Sequence, residues 1–86
     1  MDKIYVYVLL SKKDGRYYVG MSSDIEKRLI AHNFGRTKST KGYRPWSLLH
    51  LEEYPDRDMA RKREKYLKSG YGKQWLKKKY SDVDKK

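Results

Sequence analysis

A chain of 86 residues can form one domain around a single modest core and leaves little room for a separate regulatory or substrate domain. The absence of cysteine excludes a disulfide framework and a thiolate zinc site, and it favours a reducing cytoplasm. With 22 Lys and Arg against 11 Asp and Glu, the net charge of +11 favours a polyanion, DNA or RNA, as the partner.

The first two predicted elements are strands that form a hairpin. Residues 4 to 10 are aliphatic, aromatic or β-branched throughout, which is typical of a central strand buried on both faces. Asp14 and Gly15 form a strong turn signal, and residues 16 to 22 follow as a second strand. We therefore predict an antiparallel pair that begins near residue 3 and ends near residue 22.

A helix should follow the hairpin directly. Ser23 and Glu26 have the spacing of a capping box, Leu29 contributes to the apolar stripe, and Gly35 lies beyond the helix end. Residues 35 to 46 then combine Gly, Ser and Thr with basic residues, which is the composition of an exposed loop. This loop contributes four candidate nucleic-acid contacts, namely Arg36, Lys38, Lys41 and Arg44.

A third strand and a second helix come next. Residues 47 to 54 have the composition of a strand. Asp56 or Asp58 can cap a helix that runs through Leu67, and Gly70 suits its C-terminal cap. The acidic residues at this helix start are explained by capping, so we assign them no catalytic role.

The C-terminal part completes a single domain of residues 1 to 80. We expect a shorter helix near residues 74 to 79 and a flexible basic tail over residues 81 to 86. Neither a secretory signal nor a run of about 20 apolar residues is evident, so we expect a soluble, unprocessed protein that does not bind membranes. The predicted fold is α/β (α+β), with helices flanking a small three-stranded, mainly antiparallel sheet in the order β-β-α-β-α-α.

Two cationic side chains lie on the apolar face of the first predicted helix. Arg28 and His32 share a stripe with Ile25 and Leu29, at helical spacings of three and four. The structural interpretation is that Arg28 extends its stem over the core while His32 is a satisfied, half-buried imidazole. Either residue alone is weak support for a functional site.

A carboxylate occupies the matching place in the second predicted helix. Glu64 lies between Ala60 and Leu67 on one stripe. An uncompensated charge there would be costly, so Glu64 should meet a cation, a hydrogen-bond donor or a metal ion. The structural partners available to it are Arg28 and Arg63.

The hairpin contributes two tyrosines and a glycine. Side chains alternate between the faces of a strand, so an even number of turn residues places Tyr18 and Gly20 on the face of Tyr7. A glycine inside a strand suits a place where a ligand or another backbone approaches closely. The alternative is a simple bulge at Gly20, with both tyrosines as ordinary packing residues.

These residues, in this order, resemble the GIY-YIG nuclease superfamily. Tyr5-Val6-Tyr7 occupies the position of the first motif and Tyr18-Val19-Gly20 that of the second, although Tyr5 stands where the motif has Gly. The resemblance covers residues 4 to 80 and is most specific in segments 26 to 29 and 63 to 68. It is strongest to the small stand-alone bacterial branch, which is related to the incision domain of the UvrC repair protein.

The resemblance implies a metal-dependent endonuclease that cleaves phosphodiester bonds in DNA, with structured or damaged DNA in repair as candidate substrates. Tyr7 would activate the attacking water or act as the nucleophile, Tyr18 would position it, and Arg28 would stabilise phosphate charge. His32 would relay a proton, and Glu64 would hold Mg²⁺ or Mn²⁺. The implied catalytic set is Tyr7, Tyr18, Gly20, Arg28 and His32, and Arg63 and Lys68 join the basic loop as expected nucleic-acid contacts.

Tyrosine has an ordinary pKa of about 10, so Tyr7 is a poor base near neutral pH unless a neighbouring cation lowers its pKa. A second interpretation is a non-catalytic basic module, or an accessory protein in DNA repair or recombination, with an inert polar interior. The sequence leaves open DNA or RNA as the substrate, the nucleophile, the metal and the oligomeric state. It also leaves room for a protein partner that supplies substrate specificity.

Overall fold

Three strands form one antiparallel sheet, and helices pack on both of its faces. The structure, a computed structural model, describes the backbone of residues 3 to 84 and the side chains of residues 3 to 80. In chain order the elements are β1 (Ile4–Ser11), β2 (Tyr17–Ser22), α1 (Ile25–Asn33), α2 (Lys38–Lys41), β3 (Trp46–Tyr54), α3 (Arg57–Lys68) and α4 (Gly70–Asp84). The strand order is β2-β1-β3, so the predicted α+β fold and the central place of β1 are confirmed. No helix within residues 3 to 84 is long and apolar enough to cross a membrane.

The turn between β1 and β2 determines which side chains share a face. Ser11 N donates to Arg16 O at 2.9 Å, so the turn consists of residues 12 to 15 rather than of two residues. Four is also an even number, and Tyr7 therefore lies opposite Gly20, as the parity argument predicts. The hairpin thus brings both tyrosine motifs to one face of the sheet.

A one-residue bulge interrupts the alternation in β3. Leu9 of β1 pairs with Leu48, whereas the residue before Leu9 pairs with His50. Leu49 is therefore an extra residue without a partner across the strand pair. Because of this extra residue, Trp46 packs on the face that carries α1.

The two faces of the sheet bury separate clusters. The cluster under α3 and α4 is formed by Ile4, Val6, Val8, Val19, Ala60, Leu67 and Leu76. The cluster on the α1 face is formed by Tyr7, Leu9 and Trp46, with Tyr18, Ile25, Leu29 and Tyr43 packed against it. The first cluster is apolar, whereas the second contains a buried phenol that needs hydrogen-bond partners.

Two local features between β2 and β3 differ from the sequence prediction. The N-cap of α1 is Asp24 rather than Ser23, because the Asp24 carboxylate accepts from the backbone N–H of Lys27. Within the predicted loop, residues 38 to 41 form the one-turn helix α2. One helical turn is too short to leave a periodic pattern in the sequence.

The corner between α3 and α4 also differs from the prediction. Asp56 caps α3 as one of the two predicted residues, but Ser69 ends it, and Gly70 already belongs to α4. This sharp corner depends on Gly72, where a Cβ atom would lie 2.8 Å from the carbonyl carbon of Leu67. The missing side chain lets α4 start directly against the end of α3.

As a result α4 is longer than the predicted helix of residues 74 to 79. Its backbone extends through residues 81 to 84, which fall within the expected flexible tail. Residues 85 and 86 lie outside the described part of the chain, so the tail itself stays a prediction.

A cluster of charged and polar side chains links α3 and α4 to β3. Glu52 accepts from Arg63 Nε at 2.8 Å, from Arg63 Nη2 at 3.0 Å and from Tyr54 Oη at 2.7 Å. His50 Nε2 lies 2.7 Å from the same carboxylate, and its Nδ1 lies 2.6 Å from Tyr80 Oη. Burial alone would raise the pKa of Glu52, but the hydrogen bonds from Arg63, His50 and Tyr54 outweigh it and lower the pKa to about 2.

Replacing Glu52 by Gln should lower the free energy of unfolding at pH 7 by about 2 to 4 kcal/mol, because the Arg63 guanidinium loses its charged partner. A carboxylate with a lowered pKa stabilises the fold above its ordinary value of 4.5, and this contribution is lost as the pH falls toward 2. The variant should therefore lose stability less steeply than the parent in that range. Urea unfolding at several pH values measures both effects. The matched control is Glu53→Gln, which removes only an exposed ion pair with Lys3 and should change little.

Candidate active site

Tyr7 lies at the centre of the site and is buried, with 1% of its surface exposed. Its ring extends over Gly20 on β2, where an added Cβ atom would lie 2.5 Å from Tyr7 Oη and 2.6 Å from Cζ. Gly20 pairs regularly with Tyr7, so the alternative of a bulge at Gly20 is wrong. Only the absence of a side chain at position 20 leaves room for the phenol.

The helix α1 supplies two polar partners to this phenol. Arg28 Nε donates to Tyr7 Oη at 3.3 Å, and Tyr7 Oη lies 3.1 Å from His32 Nε2. Arg28 and His32 are four residues apart on one stripe of the helix, as predicted. The hydroxyl of Tyr7 therefore has a cationic donor on one side and an imidazole nitrogen on the other.

Thr40 determines which nitrogen of His32 carries the proton. Its Oγ1 lies 3.3 Å from the Thr37 carbonyl oxygen and donates to it, and it lies 2.9 Å from His32 Nδ1. With the hydroxyl proton directed at Thr37, Thr40 Oγ1 would accept from Nδ1–H, and we assign this tautomer to His32. Burial and the charge of Arg28 lower the pKa of His32, so the ring is neutral at pH 7 and its Nε2 accepts from Tyr7 Oη–H.

Trp46 and Asn33 hold Thr40 in place. Trp46 Nε1 donates to the Thr40 carbonyl at 2.9 Å. The backbone of Trp46 is paired with the Asn33 amide, whose Oδ1 accepts from Trp46 N at 2.7 Å and whose Nδ2 donates to Trp46 O at 3.0 Å. The end of α1, the helix α2 and the start of β3 are thereby joined behind His32. The sequence pattern indicates neither residue: a hydroxyl such as that of Thr40 is ordinary in a loop with Gly, Ser and Thr, and nothing in the pattern links Trp46 to it.

Tyr18 closes the aromatic side of the site. Its ring centroid lies 4.8 Å from that of His32, 6.4 Å from Tyr7 and 6.2 Å from Trp46. The side chain is half-buried and shares the face of Tyr7, as the hairpin parity predicts. It supports the imidazole plane by ring contacts.

The cation beside Tyr7 does not bring the pKa of the phenol below its ordinary value. Burial raises the pKa of Tyr7, and the hydrogen bond from Arg28 lowers it only in part. The charges of Tyr18 and Glu64 raise it further. Tyr7 is therefore a protonated phenol at neutral pH, and the nearest nitrogen that could take its proton is His32 Nε2, 3.1 Å away.

Glu64 on α3 is close enough to Tyr7 for its charge to raise the pKa of the phenol. Its side chain is 15% exposed and forms an ion pair with Lys68 Nζ at 3.3 Å, one turn along the same helix. Neither Arg28 nor Arg63, the two structural partners considered from the sequence, is its ion-pair partner. The Glu64 carboxylate thus borders the site, and its ion-pair partner is a long, half-exposed lysine.

The donor chemistry around Glu64 fits a hard divalent ion. Mg²⁺ is commonly held by one or two carboxylates, with water and substrate phosphates as its other ligands. Within the described part of the chain no three His, Asp or Glu side chains come together, so Glu64 would be the protein carboxylate on such an ion. Its oxygen ligand and its partial burial suit Mg²⁺ or Mn²⁺ better than a softer metal.

A basic cleft opens beside the phenol. It has a volume of about 680 Å³ and is lined by Ser22, Ser23, Asp24, Lys27, Arg28, Ala31 and Arg36. Arg28 belongs both to this cleft and to the hydrogen bond with Tyr7. Three cations against the single carboxylate of Asp24 give the cleft a net positive charge, which would suit a phosphate backbone.

The predicted nucleic-acid contacts fall into two groups. Arg36 lines the cleft, and Lys38 and Lys41 are exposed on α2. Arg44 is exposed, although its Nε donates to the Lys41 carbonyl at 2.8 Å. The residues of the second group form ion pairs with carboxylates of the same chain. Arg63 pairs with Glu52, and Lys68 pairs with Glu64. The two hydrogen bonds from Arg63 to Glu52 give Arg63 a structural role that the sequence pattern does not predict.

Fold and site together define a nuclease-type domain. Residues 3–81 match the GIY-YIG catalytic domain, and the chain belongs to this family. The resemblance found in the sequence is thereby confirmed over nearly the whole chain.

Within that family the chain is similar to UPF0213 proteins. The UPF0213 protein of Staphylococcus saprophyticus is 44% identical over 70 residues, which are 80% of this chain and 84% of that protein. The UPF0213 protein of Syntrophus aciditrophicus is 43% identical over 70 residues, or 79% of each. The solution NMR structure of a UPF0213 protein from Bacillus halodurans superposes with a TM-score of 0.54 at 32% identity, covering 86% of this chain and 81% of that one. Matches over most of each relative agree with the small stand-alone branch.

The Thr40→Val variant should change the proton position on His32. Without an acceptor at Oγ1, a buried Nδ1–H would be unpaired, so the ring should shift toward the Nε2–H form. Nitrogen-15 chemical shifts of the His32 ring at pH 7 report this directly. Thr40→Ser keeps the hydroxyl and should retain the parent pattern. Unchanged ring shifts in the Val variant would contradict the role of Thr40.

Proposed function

We propose that this protein is a divalent-metal-dependent endonuclease that hydrolyses phosphodiester bonds in DNA, with structured or damaged DNA as its substrate. The observation that carries the proposal is the Tyr7 hydroxyl, which accepts from the Arg28 guanidinium at 3.3 Å and lies 3.1 Å from His32 Nε2. A packing tyrosine needs one such partner, whereas a proton carrier needs both a stabilising cation and an acceptor. A role in DNA repair would follow from such substrates, and the cysteine-free chain suits the cytoplasm.

The proposed chemistry begins with water as the nucleophile. Tyr7 takes a proton from the attacking water and passes its own to His32 Nε2, while the water oxygen bonds to phosphorus. The phosphorus bond to the leaving oxygen breaks, and solvent protonates that oxygen. Tyr7 as the direct nucleophile is disfavoured because phosphorus with its oxygen substituents, which is larger than one water molecule, would have to reach an Oη packed against Gly20 and contacted by Arg28 and His32.

Charge compensation falls to the residues around this proton path. The charge of Arg28 disfavours a protonated His32 in the unliganded protein. A phosphate in the cleft would offset that repulsion, because it places negative charge next to the Arg28 guanidinium. Mg²⁺ or Mn²⁺ held by Glu64 would supply further positive charge at the scissile phosphate. Proton transfer is thereby favoured only when the substrate is bound.

The competing function is a binding module without catalysis. It is favoured by the completeness of the polar network, since no buried side-chain nitrogen or oxygen among the described residues lacks a partner. It is disfavoured by Glu64, whose Lys68 partner is half-exposed and does not require a carboxylate beside a phenol. Substitution of Glu64 separates the two functions.

Glu64→Gln should lower Mg²⁺-dependent cleavage of a branched DNA by at least about 100-fold, or roughly 2.7 kcal/mol of activation free energy. Its effect on folding should be small, because an i,i+4 ion pair contributes only about 0.3 to 0.5 kcal/mol. Lys68→Gln is the matched control, since it breaks the same ion pair and keeps the carboxylate. Cleavage and melting temperature are measured on one preparation of each variant. Because Lys68 is also an expected nucleic-acid contact, DNA binding in EDTA is measured as well. If Lys68→Gln binds as the parent does but cuts as poorly as Glu64→Gln, the ion pair matters rather than the metal.

Binding should be electrostatic and strongly dependent on salt. A cleft that neutralises three or more phosphates predicts a fall in affinity of at least about tenfold between 50 and 200 mM salt. Lys27→Gln should reduce the slope of log affinity against log salt by about one, because it removes one cation from the cleft wall. Fluorescence anisotropy with labelled DNA in EDTA measures the slope without cleavage. Lys3→Gln, which lies outside the cleft, should leave it unchanged, and a flat salt dependence of the parent would contradict the proposal.

A further inference from the structure

Phe34 projects from the end of α1 next to the basic cleft. It is 70% exposed, although its backbone is firmly held: its N–H donates to the Ile30 carbonyl at 2.9 Å. The next residue, Gly35, ends the helix with φ +78° and donates to the His32 carbonyl at 3.1 Å. A single exposed apolar side chain is common and is not by itself a site. Phe34 differs from such an isolated side chain because apolar and cationic residues lie beside it at the same end of α1.

Apolar surface continues from the ring along α1. Leu29, Ile30, Asn33 and Phe34 line a shallow cleft of about 260 Å³, and Ile30 is 54% exposed. The Asn33 amide is already bonded to the backbone of Trp46 through both its oxygen and its nitrogen. This surface therefore offers a flat ring and aliphatic contacts, with the orientation of the Asn33 amide fixed by Trp46.

Arg36 connects this apolar surface to the basic cleft. Its guanidinium carbon lies 5.7 Å from the centroid of the Phe34 ring, and the same side chain lines the cleft with Lys27 and Arg28. A strand whose phosphates lie in the basic cleft thus has an aromatic ring within reach of its next base. Aromatic rings beside backbone-binding cations are the recurring means of holding single-stranded nucleic acid.

We propose that Phe34 and Arg36 form a binding site for an unpaired nucleobase, next to the site of cleavage. The proposal rests on the proposed nuclease function for the strand it positions. The occupant is a nucleobase rather than a protein side chain, because the ring is bordered by cations that attract the phosphates joined to that base. In a continuous duplex the faces of every base are covered by its neighbours, so only an unpaired nucleotide can stack on Phe34.

The consequence is a definite substrate class. The protein should prefer DNA with unpaired nucleotides next to the cut, such as a flap, a bubble or a single-stranded end, over continuous duplex. Stacking uses the π-face that all bases share, so the site should tolerate any sequence. Selection would then be by DNA structure rather than by base identity.

The test measures binding of the full chain in EDTA to three labelled probes of equal length: oligo(dT), the same strand made of abasic sites, and a blunt duplex. Phe34→Leu keeps an apolar side chain but removes the π-face. It should weaken oligo(dT) binding by at least about fivefold and change abasic and duplex binding by less than twofold. Tyr71→Leu is the control, since Tyr71 is 80% exposed but lies on α4 outside both clefts. It should bind all three probes as the parent does.

Three outcomes would overturn the base site: equal oligo(dT) binding by the parent and Phe34→Leu, an equal loss on oligo(dT) and abasic strands, or an equal loss from Tyr71→Leu. A change of sedimentation coefficient in Phe34→Leu without any change in DNA binding would assign the ring to a protein interface instead, and would also overturn it. Cleavage with Mg²⁺ or Mn²⁺ is assayed on the same preparations. Loss of oligo(dT) binding in Phe34→Leu with no cleavage by the parent would refute the nuclease function and leave the base site standing.

Discussion

The burial of one phenol hydroxyl is the constraint on which this fold depends. Tyr7 Oη lies under the surface on the central strand, where an unpaired hydroxyl would be costly. Gly20 provides the space, and Arg28 and His32 provide the donor and the acceptor. Each of these requirements constrains a different feature of the structure. The space at Gly20 depends on the turn length of the hairpin, the donor from Arg28 depends on the position of α1, and the acceptor depends on the protonation state of the His32 imidazole.

The requirement continues outward from His32. For Nε2 to accept, Nδ1 must donate, and the acceptor is the Thr40 hydroxyl on α2. Thr40 is held by the indole of Trp46, whose backbone is held by Asn33. A short helix that would be marginal in isolation is therefore stabilised by its place in the network. On the opposite face, the Glu52 cluster and an apolar core under α3 and α4 stabilise the sheet without reaching the phenol. The apolar core under α3 and α4 thus lies on the face opposite the phenol, and Glu64 is the residue of α3 whose charge acts on Tyr7.

Much of this arrangement follows from sequence periodicity. Alternation in the strands and the even turn put Tyr7, Tyr18 and Gly20 on one face, and the helical stripe put Arg28 beside His32. These features depend on local geometry, which the sequence determines. The residues that the sequence did not predict are those whose role depends on a contact outside their own helix or strand.

Thr40 shows the limit most clearly. Its importance comes from a hydrogen bond to a ring eight residues away, and a one-turn helix leaves no period in the sequence. Arg63 is a second case. A cation on an amphipathic helix is as compatible with phosphate binding as with a buried carboxylate partner, so the sequence does not choose between the two. Only the register of β3 against β1 brings Glu52 beneath it. The sign of the pKa shift of Tyr7 likewise depended on its degree of burial, which competes with the cation.

The bulge at Leu49 bears on how relatives of this chain are compared. Trp46 and Leu51 are five residues apart, an odd separation that would place them on opposite faces of a regular strand. The extra residue brings Trp46 back to the face of His32. A relative with one residue fewer in this strand would keep its tryptophan beside the histidine by regular alternation alone. In an alignment, a single gap near position 49 would therefore mark the evolutionary loss of a bulge, and the residues on either side of the gap would remain equivalent.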